Sequence, residues 1–307
     1  MAGNYVFGPV PSRRLGLSLG VDIVPMKSCT LDCVYCQLGR SSDLTAERKK
    51  YVDIDEVARQ VRARLESGPK PDHITISGSG EPTLHSELGQ LVGKIKEFTA
   101  TPVAIMTNGT LLWDSQVRQN CLGADVVLPS LDAGDGRTFT KINRPHEALH
   151  FDTIIEGLIQ FRKEYTGQIW LEIFIIEGIN TNFEQLKRFG QLIDMIKPDK
   201  VQLNTAVRPT TEKGIAAASF EKLQEVAGVI GHNCEIIADF AKPATQKAVS
   251  SPEAVMEMLQ RRPCSVEDIA AGLNISSETA IGYVSQLLQA DMVQAQTKGA
   301  KTYYIPK

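Results

Sequence analysis

Short apolar runs alternate with amphipathic stretches along most of this chain, and this alternation limits the possible folds more than any other feature. The runs are apolar nearly throughout, as strands buried on both faces are. The stretches between them carry apolar residues on one face, as in Ile54, Val57 and Val61. Repeated βα units predict a parallel sheet with right-handed crossovers. The strand-like runs are 18–25, 73–77, 103–107, 125–130, 169–176, 200–205 and 234–239.

We therefore expect an α/β fold, namely a partial or full (β/α) barrel of six to seven parallel strands, with a flat doubly wound sheet as the alternative. Residues 241–250 are polar and lack a clear period, which predicts a linker. From 251 to 307, three helical patterns precede two strand patterns around a Lys-Gly turn. This order predicts a small C-terminal winged-helix domain behind a barrel domain of residues 1–240.

Composition excludes several classes of protein. The chain has 307 residues, of which 42% are hydrophobic and 22% charged, and this excludes wholesale disorder. No run approaches the ~20 apolar residues that cross a bilayer. The first residues lack the apolar core of a secretory signal, so we expect a cytoplasmic protein. The net charge of −3 gives no general attraction to nucleic acid.

Three of the six cysteines, Cys29, Cys33 and Cys36, are spaced C-x₃-C-x₂-C just after the first predicted strand. Three neighbouring thiols cannot all pair with one another. A structural zinc site normally takes two separated pairs of ligands, and neither a second pair nor a nearby histidine is present. A compact three-thiolate loop predicts a metal centre with one open position, and thiolates suit iron–sulfur clusters. A zinc-binding barrel is the alternative.

The spacing, with the aromatic Tyr35 before the last cysteine, resembles the signature of the radical SAM superfamily. The resemblance implies a [4Fe-4S] cluster on Cys29, Cys33 and Cys36, with S-adenosyl-L-methionine (SAM) on the fourth iron. It further implies reductive cleavage of SAM to a 5′-deoxyadenosyl radical that abstracts a substrate hydrogen, and an electron donor such as flavodoxin or ferredoxin. Other loop phrases resemble a subgroup of iron–sulfur oxidoreductases loosely similar to the wyosine-synthesis enzymes.

Functional residues of a βα barrel lie at the carboxyl ends of its strands. The Gly-Ser-Gly-Glu-Pro sequence at 78–82 resembles the family's Gly-Gly-Glu-Pro, which binds the amino group of SAM, with Ser79 replacing a glycine. Ordinary turn chemistry would also explain each such position taken alone. The candidate cofactor contacts are Tyr35, Gly78, Ser79, Gly80, Glu81, Asn108, Ser130, Asp132, Gln202 and Asn204.

Four arginines in predicted loops, Arg13, Arg14, Arg144 and Arg208, are candidate substrate contacts. Together they would make the barrel mouth basic and suit an anionic substrate such as a nucleotide, RNA or a phosphorylated metabolite. Solvated surface charge is the alternative. The substrate itself is unknown from the sequence.

The tail, 251–307, has five basic and six acidic residues, and its predicted recognition helix carries no Lys or Arg. Duplex DNA is therefore disfavoured, and a protein partner or a dimer contact is favoured. Cys264 is a candidate hydrogen donor to a product radical, although it and the other scattered cysteines are also typical of buried small side chains. The alternative functions are an iron–sulfur-sensing regulator and a protein-modifying or activating enzyme that binds its partner through the winged helix.

Overall fold

A computed structural model of the chain describes residues 3–237, 251–273, 275–299 and 301–307. Strands and helices alternate through the first part of the chain, and the second part adds three helices and a hairpin. The strands are β1 (Val6–Ser12), β2 (Gly16–Asp22), β3 (Ser28–Cys29), β4 (Asp43–Leu44), β5 (His73–Ser77), β6 (Val103–Met106), β7 (Val126–Leu128), β8 (Gln168–Ile175), β9 (Lys200–Thr205), β10 (Cys234–Ile236), β11 (Val293–Lys298) and β12 (Lys301–Pro306).

Eight of these strands form one sheet in the order β1-β2-β5-β6-β7-β8-β9-β10. β1 pairs antiparallel with β2, and each later pairing is parallel. Doubly wound sheets reverse their strand order at a switch point, and this order never reverses. The fold is therefore a (β/α) barrel of seven parallel strands with one antiparallel edge strand. No ladder within the described residues joins β10 to β1, so the barrel is open.

The helices of the barrel are α1 (Ile54–Ser67), α2 (Leu88–Phe98), α3 (Ser115–Cys121), α4 (Gly136–Asn143), α5 (Phe151–Glu164), α6 (Phe183–Ile196) and α7 (Phe220–Ile230), with a short 3₁₀ helix at Pro82–Leu84. They cover one face of the sheet. Strand side chains alternate between faces, so Leu171 and Ile173 pack under the helices while Glu172 faces the concave side. Leu15, from the turn between β1 and β2, closes part of that side against Ala104 and Leu128.

The tail consists of α8 (Pro252–Leu259), α9 (Val266–Leu273), α10 (Ser277–Gln289) and the β11–β12 hairpin. The order of elements is the one predicted, while the winged-helix assignment stays a prediction. The module has its own apolar core, which includes Val255, Ile269 and Val284, and Val10 of β1 packs against it. In the described part of the chain, no helix is long and apolar enough to cross a membrane.

The sequence analysis missed β1 because Pro9 and Pro11 made it read as a loop. An edge strand tolerates proline, since one side of its backbone has no partner, and the register of β1 shifts between Phe7 and Val10. The predicted first strand, 18–25, in fact begins at Gly16 and ends at Asp22. The predicted linker, 241–250, lies outside the described residues, as does the end of the predicted strand 234–239.

Candidate active site

The three clustered cysteines lie on one loop, residues 28–39, which we call the cluster loop. Neighbouring loops hold its backbone from two sides. The amide of Val34 donates to the carbonyl of Ile142 at the end of α4, at 2.9 Å. On the other side, the amide of Thr211, in the loop after β9, donates to the carbonyl of Cys36 at 2.8 Å. The loop is therefore fixed by elements far apart in sequence.

Each of the three thiols accepts a hydrogen bond from a different side chain. Lys27 Nζ lies 3.0 Å from the Sγ of Cys36. The Nδ2 of Asn108, after β6, lies 3.6 Å from the Sγ of Cys29, and the Nδ2 of Asn143 lies 3.4 Å from the Sγ of Cys33. N–H donors around sulfur stabilise its anionic, metal-binding form. The site is thus built to hold three thiolates.

Burial alone opposes that charge. It raises the pKa of Cys29 to about 12 and raises the pKa of Cys33 well above its ordinary value. Metal binding must therefore supply the free energy that removes these protons. No three His, Cys, Asp or Glu side chains among the described residues converge as ligands of a single ion. The donor set fits a multi-iron cluster, in which different thiolates bind different irons, better than it fits one zinc ion.

Asp132, which follows β7, holds the cluster loop through hydrogen bonds. Its Oδ2 accepts a hydrogen bond from the Tyr35 hydroxyl at 2.5 Å and another from Asn143 Nδ2 at 2.7 Å, and its Oδ1 accepts from the amide of Phe174. The Tyr35 ring stacks on that of Phe174, with centroids 3.9 Å apart. Burial outweighs the three donors and raises the pKa of Asp132 to about 6. Two of the predicted cofactor contacts, Tyr35 and Asp132, therefore bind each other and hold the cluster loop in place.

Glu81 joins the ends of two strands. Its Oε1 accepts hydrogen bonds from the amide and hydroxyl of Thr83 and from the hydroxyl of Thr107, and its Oε2 accepts one from the amide of Asn108. It is 2% exposed, and burial raises the pKa of its carboxyl despite these donors. The carboxylate predicted to receive an ammonium thus makes four hydrogen bonds within the protein.

The glycines before Glu81 allow close contacts inside the protein. A Cβ on Gly80 would lie 2.1 Å from the carbonyl oxygen of Ser28, at the start of the cluster loop. A Cβ on Gly78 would lie 2.2 Å from Asp22 Oδ1. The Ser79 hydroxyl donates to the other carboxylate oxygen of Asp22 at 2.7 Å. The segment 78–81 therefore packs directly against the loop that carries the cysteines.

A polar network lines the concave face of the sheet. Glu172 of β8 pairs with Arg14 and accepts a hydrogen bond from Asn204 Nδ2 at 2.9 Å. Arg13 donates to Asn204 Oδ1 at 3.4 Å. Burial would raise the pKa of Glu172, but chiefly Arg14, with Asn204 and Arg13, lowers it. The predicted contact Gln202 lies on the same face, and its buried Oε1 has no hydrogen-bond partner among the residues that the structure describes. Ser130 forms a β-bridge with Glu172.

The predicted basic mouth is largely neutralised. Arg144 pairs with Glu212 at 2.8 Å, and Arg208 pairs with Asp268 of the tail at 3.1 Å. Arg14 pairs with Glu172. Three of the four candidate arginines thus meet carboxylates that the sequence analysis did not place near them.

A cavity of about 910 Å³ lies between the cluster loop and the tail and is called here the cluster-side cavity. Gln37 and Leu38 of the cluster loop, Ser79, and Arg261 of the tail are among its lining residues. It is large enough for a drug-sized ligand. The segment 78–81, the cysteines and this cavity therefore lie together at the carboxyl ends of the strands.

Residues 23–190 match the family model described as the radical SAM superfamily. The chain belongs to the radical SAM superfamily. This region of the radical SAM chain contains the cluster loop, the segment 78–81, Asn108, Asp132 and Glu172. The structural agreement extends to solved proteins. A radical SAM methyltransferase from Sphaerobacter thermophilus superposes with a TM-score of 0.56 at 16% identity, covering 71% of this chain and 65% of that one.

A second solved structure, SuiB from Streptococcus suis bound to S-adenosylmethionine, superposes with a TM-score of 0.53 at 16% identity, covering 77% of this chain and 54% of that one. A Methanocaldococcus jannaschii UPF0026 protein is 37% identical over 228 residues, which is 74% of this chain and 71% of that protein. A Methanococcus maripaludis protein named probable GTP 3′,8-cyclase is 33% identical over 126 residues, covering 41% of this chain and 39% of that protein.

A Brachyspira hyodysenteriae protein named GTPase Obg is 37% identical over 307 residues, which cover 98% of this chain and 45% of that protein. The radical SAM chain thus spans less than half the length of this relative.

Cys264 lies in the tail and forms a β-bridge with Tyr304. It is fully buried in the tail core, where its thiol donates to the carbonyl of Arg262 at 3.5 Å. A hydrogen-donor role would require a substrate radical to reach this buried thiol, and the role stays a prediction. Cys121 is buried in the main core, and Cys234 lies partly buried at the start of β10.

Several site residues were not identified from the sequence, and three of them carried a usable signal. Glu172 is the only charged residue in an otherwise apolar strand run. Lys27 immediately precedes the cluster loop, and Asn143 stands two residues before Pro145, where a helix is expected to end. The tail arginines Arg261 and Arg262 gave no comparable signal, because only the tertiary fold brings them to the barrel.

Proposed function

We propose that this chain is a radical SAM enzyme that holds a [4Fe-4S] cluster on Cys29, Cys33 and Cys36 and acts on an anionic small-molecule substrate. The observation that carries the proposal is the set of three thiols, each with its own N–H donor. The other three cysteines lie in the main core, at β10 and in the tail. One iron of a four-iron cluster would therefore lack a cysteine and remain open to another ligand.

When bound, the reduced cluster supplies the electron that cleaves SAM into methionine and a 5′-deoxyadenosyl radical, which removes a hydrogen atom from the substrate. The protein's part is to hold and tune the site. Lys27, Asn108 and Asn143 would neutralise part of the sulfur charge. Asp132 fixes Tyr35 and Asn143, and thereby the middle of the cluster loop.

The strand-end residues are the proposed SAM contacts. Since the side chain of Glu81 is saturated by internal hydrogen bonds, we expect the backbone of the segment 78–81 to contact SAM rather than the carboxylate. The Oε1 of Gln202, which has no partner within the described part of the chain, is a further candidate acceptor on the concave face. The solved structure of SuiB, which shares this fold, contains bound S-adenosylmethionine, and this supports the proposal that the chain binds SAM.

The polar concave face supports an anionic substrate. Arg13 and Arg14 enter it from the β1–β2 turn, and the relatives named GTP 3′,8-cyclase act, by that name, on a nucleotide. We propose a phosphorylated small molecule or nucleotide in preference to RNA. Flavodoxin or ferredoxin would supply the electron, and the tail, as a winged helix, would bind a protein partner or a second copy. The cytoplasm is the expected compartment.

Iron and sulfide analysis with electron paramagnetic resonance tests the cluster assignment. After anaerobic reconstitution, about four irons and four sulfides per chain are expected, together with a change in the spectrum of the reduced protein on adding SAM. Cys29→Ala, Cys33→Ala and Cys36→Ala should each lose the cluster, whereas the matched Cys234→Ala should keep it. One zinc per chain without sulfide would contradict the proposal. An intact cluster that ignores SAM, with salt-sensitive DNA binding, would favour a regulator.

A further inference from the structure

A second, smaller cavity lies between the β1–β2 turn, the concave face of the sheet and the tail. Its volume is about 250 Å³. All of the charged residues described in its lining are arginines: two from the barrel and two from the tail. We call it the arginine cavity. The charged lining residues are Arg13, Arg14, Arg261 and Arg262.

Two of these arginines are neutralised by carboxylates just outside the cavity. Arg14 pairs with Glu172, and Arg261 pairs with Asp22. Arg262 differs, because its side chain hydrogen-bonds the thiol of Cys264, and no direct ion pair of Arg262 is found among the described residues. The carboxylate of Asp268 is influenced by the charge of Arg262, but it pairs directly with Arg208 at 3.1 Å. The described lining therefore brings four guanidinium groups together around one small cavity.

Neighbouring positive charges also lower the pKa of Arg13, which lines the same cavity. The pKa of Arg13 falls to about 10, first because of burial and then because of the positive charges of Arg208, Arg14 and Arg262. Hydroxyl groups complete the lining. The hydroxyl oxygens of Ser18 and Thr75 lie 2.6 Å apart. Ser77 lies two residues after Thr75 in β5 and lines the same cavity.

We propose that the arginine cavity binds the phosphate group of the substrate, and that Arg262 of the tail completes this site. A phosphate ester carries about −1.5 to −2 charges at neutral pH and accepts hydrogen bonds on three oxygens. Guanidinium groups and hydroxyls are the donors that suit it. The cavity is far too small for a nucleic-acid duplex. This inference rests on the proposed function, since it names the anionic group of that substrate.

Arg261 positions the tail for this role. Its guanidinium stacks on the ring of Phe7 with 4.6 Å between their centres, pairs with Asp22 and donates to the Ser79 hydroxyl at 2.6 Å. It lines both the arginine cavity and the cluster-side cavity. A phosphate held in the smaller cavity would therefore lie beside Gly78, at the start of the proposed SAM segment.

Calorimetric titration of the full chain with inorganic phosphate, at fixed ionic strength in chloride, tests the site. We expect phosphate to bind, and Arg262→Ala to weaken it about tenfold, the size of one charge-assisted hydrogen bond. Arg262→Lys should retain part of the affinity. The control Arg137→Ala, an exposed arginine outside the cavity, should leave it unchanged. Because Arg262 also hydrogen-bonds the Cys264 thiol, the thermal unfolding temperature of each variant is measured, and phosphate affinities are compared only between folded proteins.

Three results would overturn the inference: no binding to the unaltered chain, equal affinity in Arg262→Ala, or acetate binding as tightly as phosphate. Formation of 5′-deoxyadenosine from SAM is measured on the same cluster-loaded preparations. If it forms while phosphate fails to bind, this site assignment alone is wrong. If phosphate binds as described and no 5′-deoxyadenosine forms, the phosphate site stands and the proposed function is wrong.

Discussion

Lys27 Nζ lies 3.0 Å from the Sγ of Cys36, and the lysine is only 8% exposed. Its backbone has φ 66°, and its amide donates to the carbonyl of Ser79 at 2.6 Å. A buried ammonium is thus fixed against one of the three proposed iron ligands. The same residue ties the segment 78–81 to the cluster loop.

Replacing this lysine should make the cluster harder to reduce. The positive charge of Lys27 and its hydrogen bond to sulfur both stabilise the reduced cluster, which carries one more electron. Lys27→Met removes both. We expect the reduction potential to fall by on the order of 60 mV, a tenfold change for a one-electron couple. Spectroelectrochemical titration measures it. Lys70→Met, at an exposed site, is the control, and equal potentials in all three proteins would contradict the role of Lys27.

Gly80 should be intolerant of any side chain. A Cβ there would lie 2.1 Å from the carbonyl oxygen of Ser28, so the cluster loop would have to move. We expect Gly80→Ala to lower the free energy of unfolding by about 1–3 kcal/mol and to reduce iron retention. At Gly93 of α2, an added Cβ would meet no described atom within 4 Å apart from its chain neighbours and the backbone of its own helix, so Gly93→Ala should instead gain about 0.5–1 kcal/mol. Equal iron content and stability in both variants would refute the packing argument.

The raised pKa of Asp132 predicts how the stability of the protein depends on pH. Its folded pKa is about 6, against an ordinary value of 3.8, so the folded protein holds this proton after the unfolded chain has lost it. The contribution to stability is therefore full below about pH 4 and is lost as the pH rises through 6. Each unit of the shift corresponds to about 1.4 kcal/mol.

Urea unfolding of the unaltered protein and Asp132→Asn, at several pH values between about 4 and 7, measures this effect. The asparagine variant lacks the titrating group, so the difference in unfolding free energy, unaltered minus variant, should decrease across this range and then level off. A difference that stays constant with pH would show that Asp132 is not raised as described.

The strand pattern was predictable because buried parallel strands are apolar on both faces. The predicted strand 200–205 coincides with β9, and 73–77 with β5. β1 was not predictable from the same pattern, since its prolines are compatible only with an edge position. The closed or open state of the barrel was also beyond the pattern, because it depends on whether the last strand pairs with the first.

The residues of the site were likewise predictable only in part. Local spacing identified the three cysteines, and position after a strand identified Glu81, Asn108 and Asp132. The partners of these residues depend on tertiary contacts, such as Asn143 with Cys33 across 110 positions of sequence. Arg261 reaches Asp22 across 239 positions. Neither spacing nor periodicity carries such information, so the contact between the tail and the barrel emerged only from the structure.

The central claim is tested most directly by measuring 5′-deoxyadenosine from SAM. The anaerobic, cluster-loaded and reduced chain is incubated with SAM, and the product is quantified by liquid chromatography and mass spectrometry. We predict 5′-deoxyadenosine and methionine from the unaltered chain and from Cys234→Ala, and none from Cys29→Ala, Cys33→Ala or Cys36→Ala. An intact, reduced [4Fe-4S] protein that binds SAM and forms no 5′-deoxyadenosine, with or without phosphorylated substrates, would contradict the account.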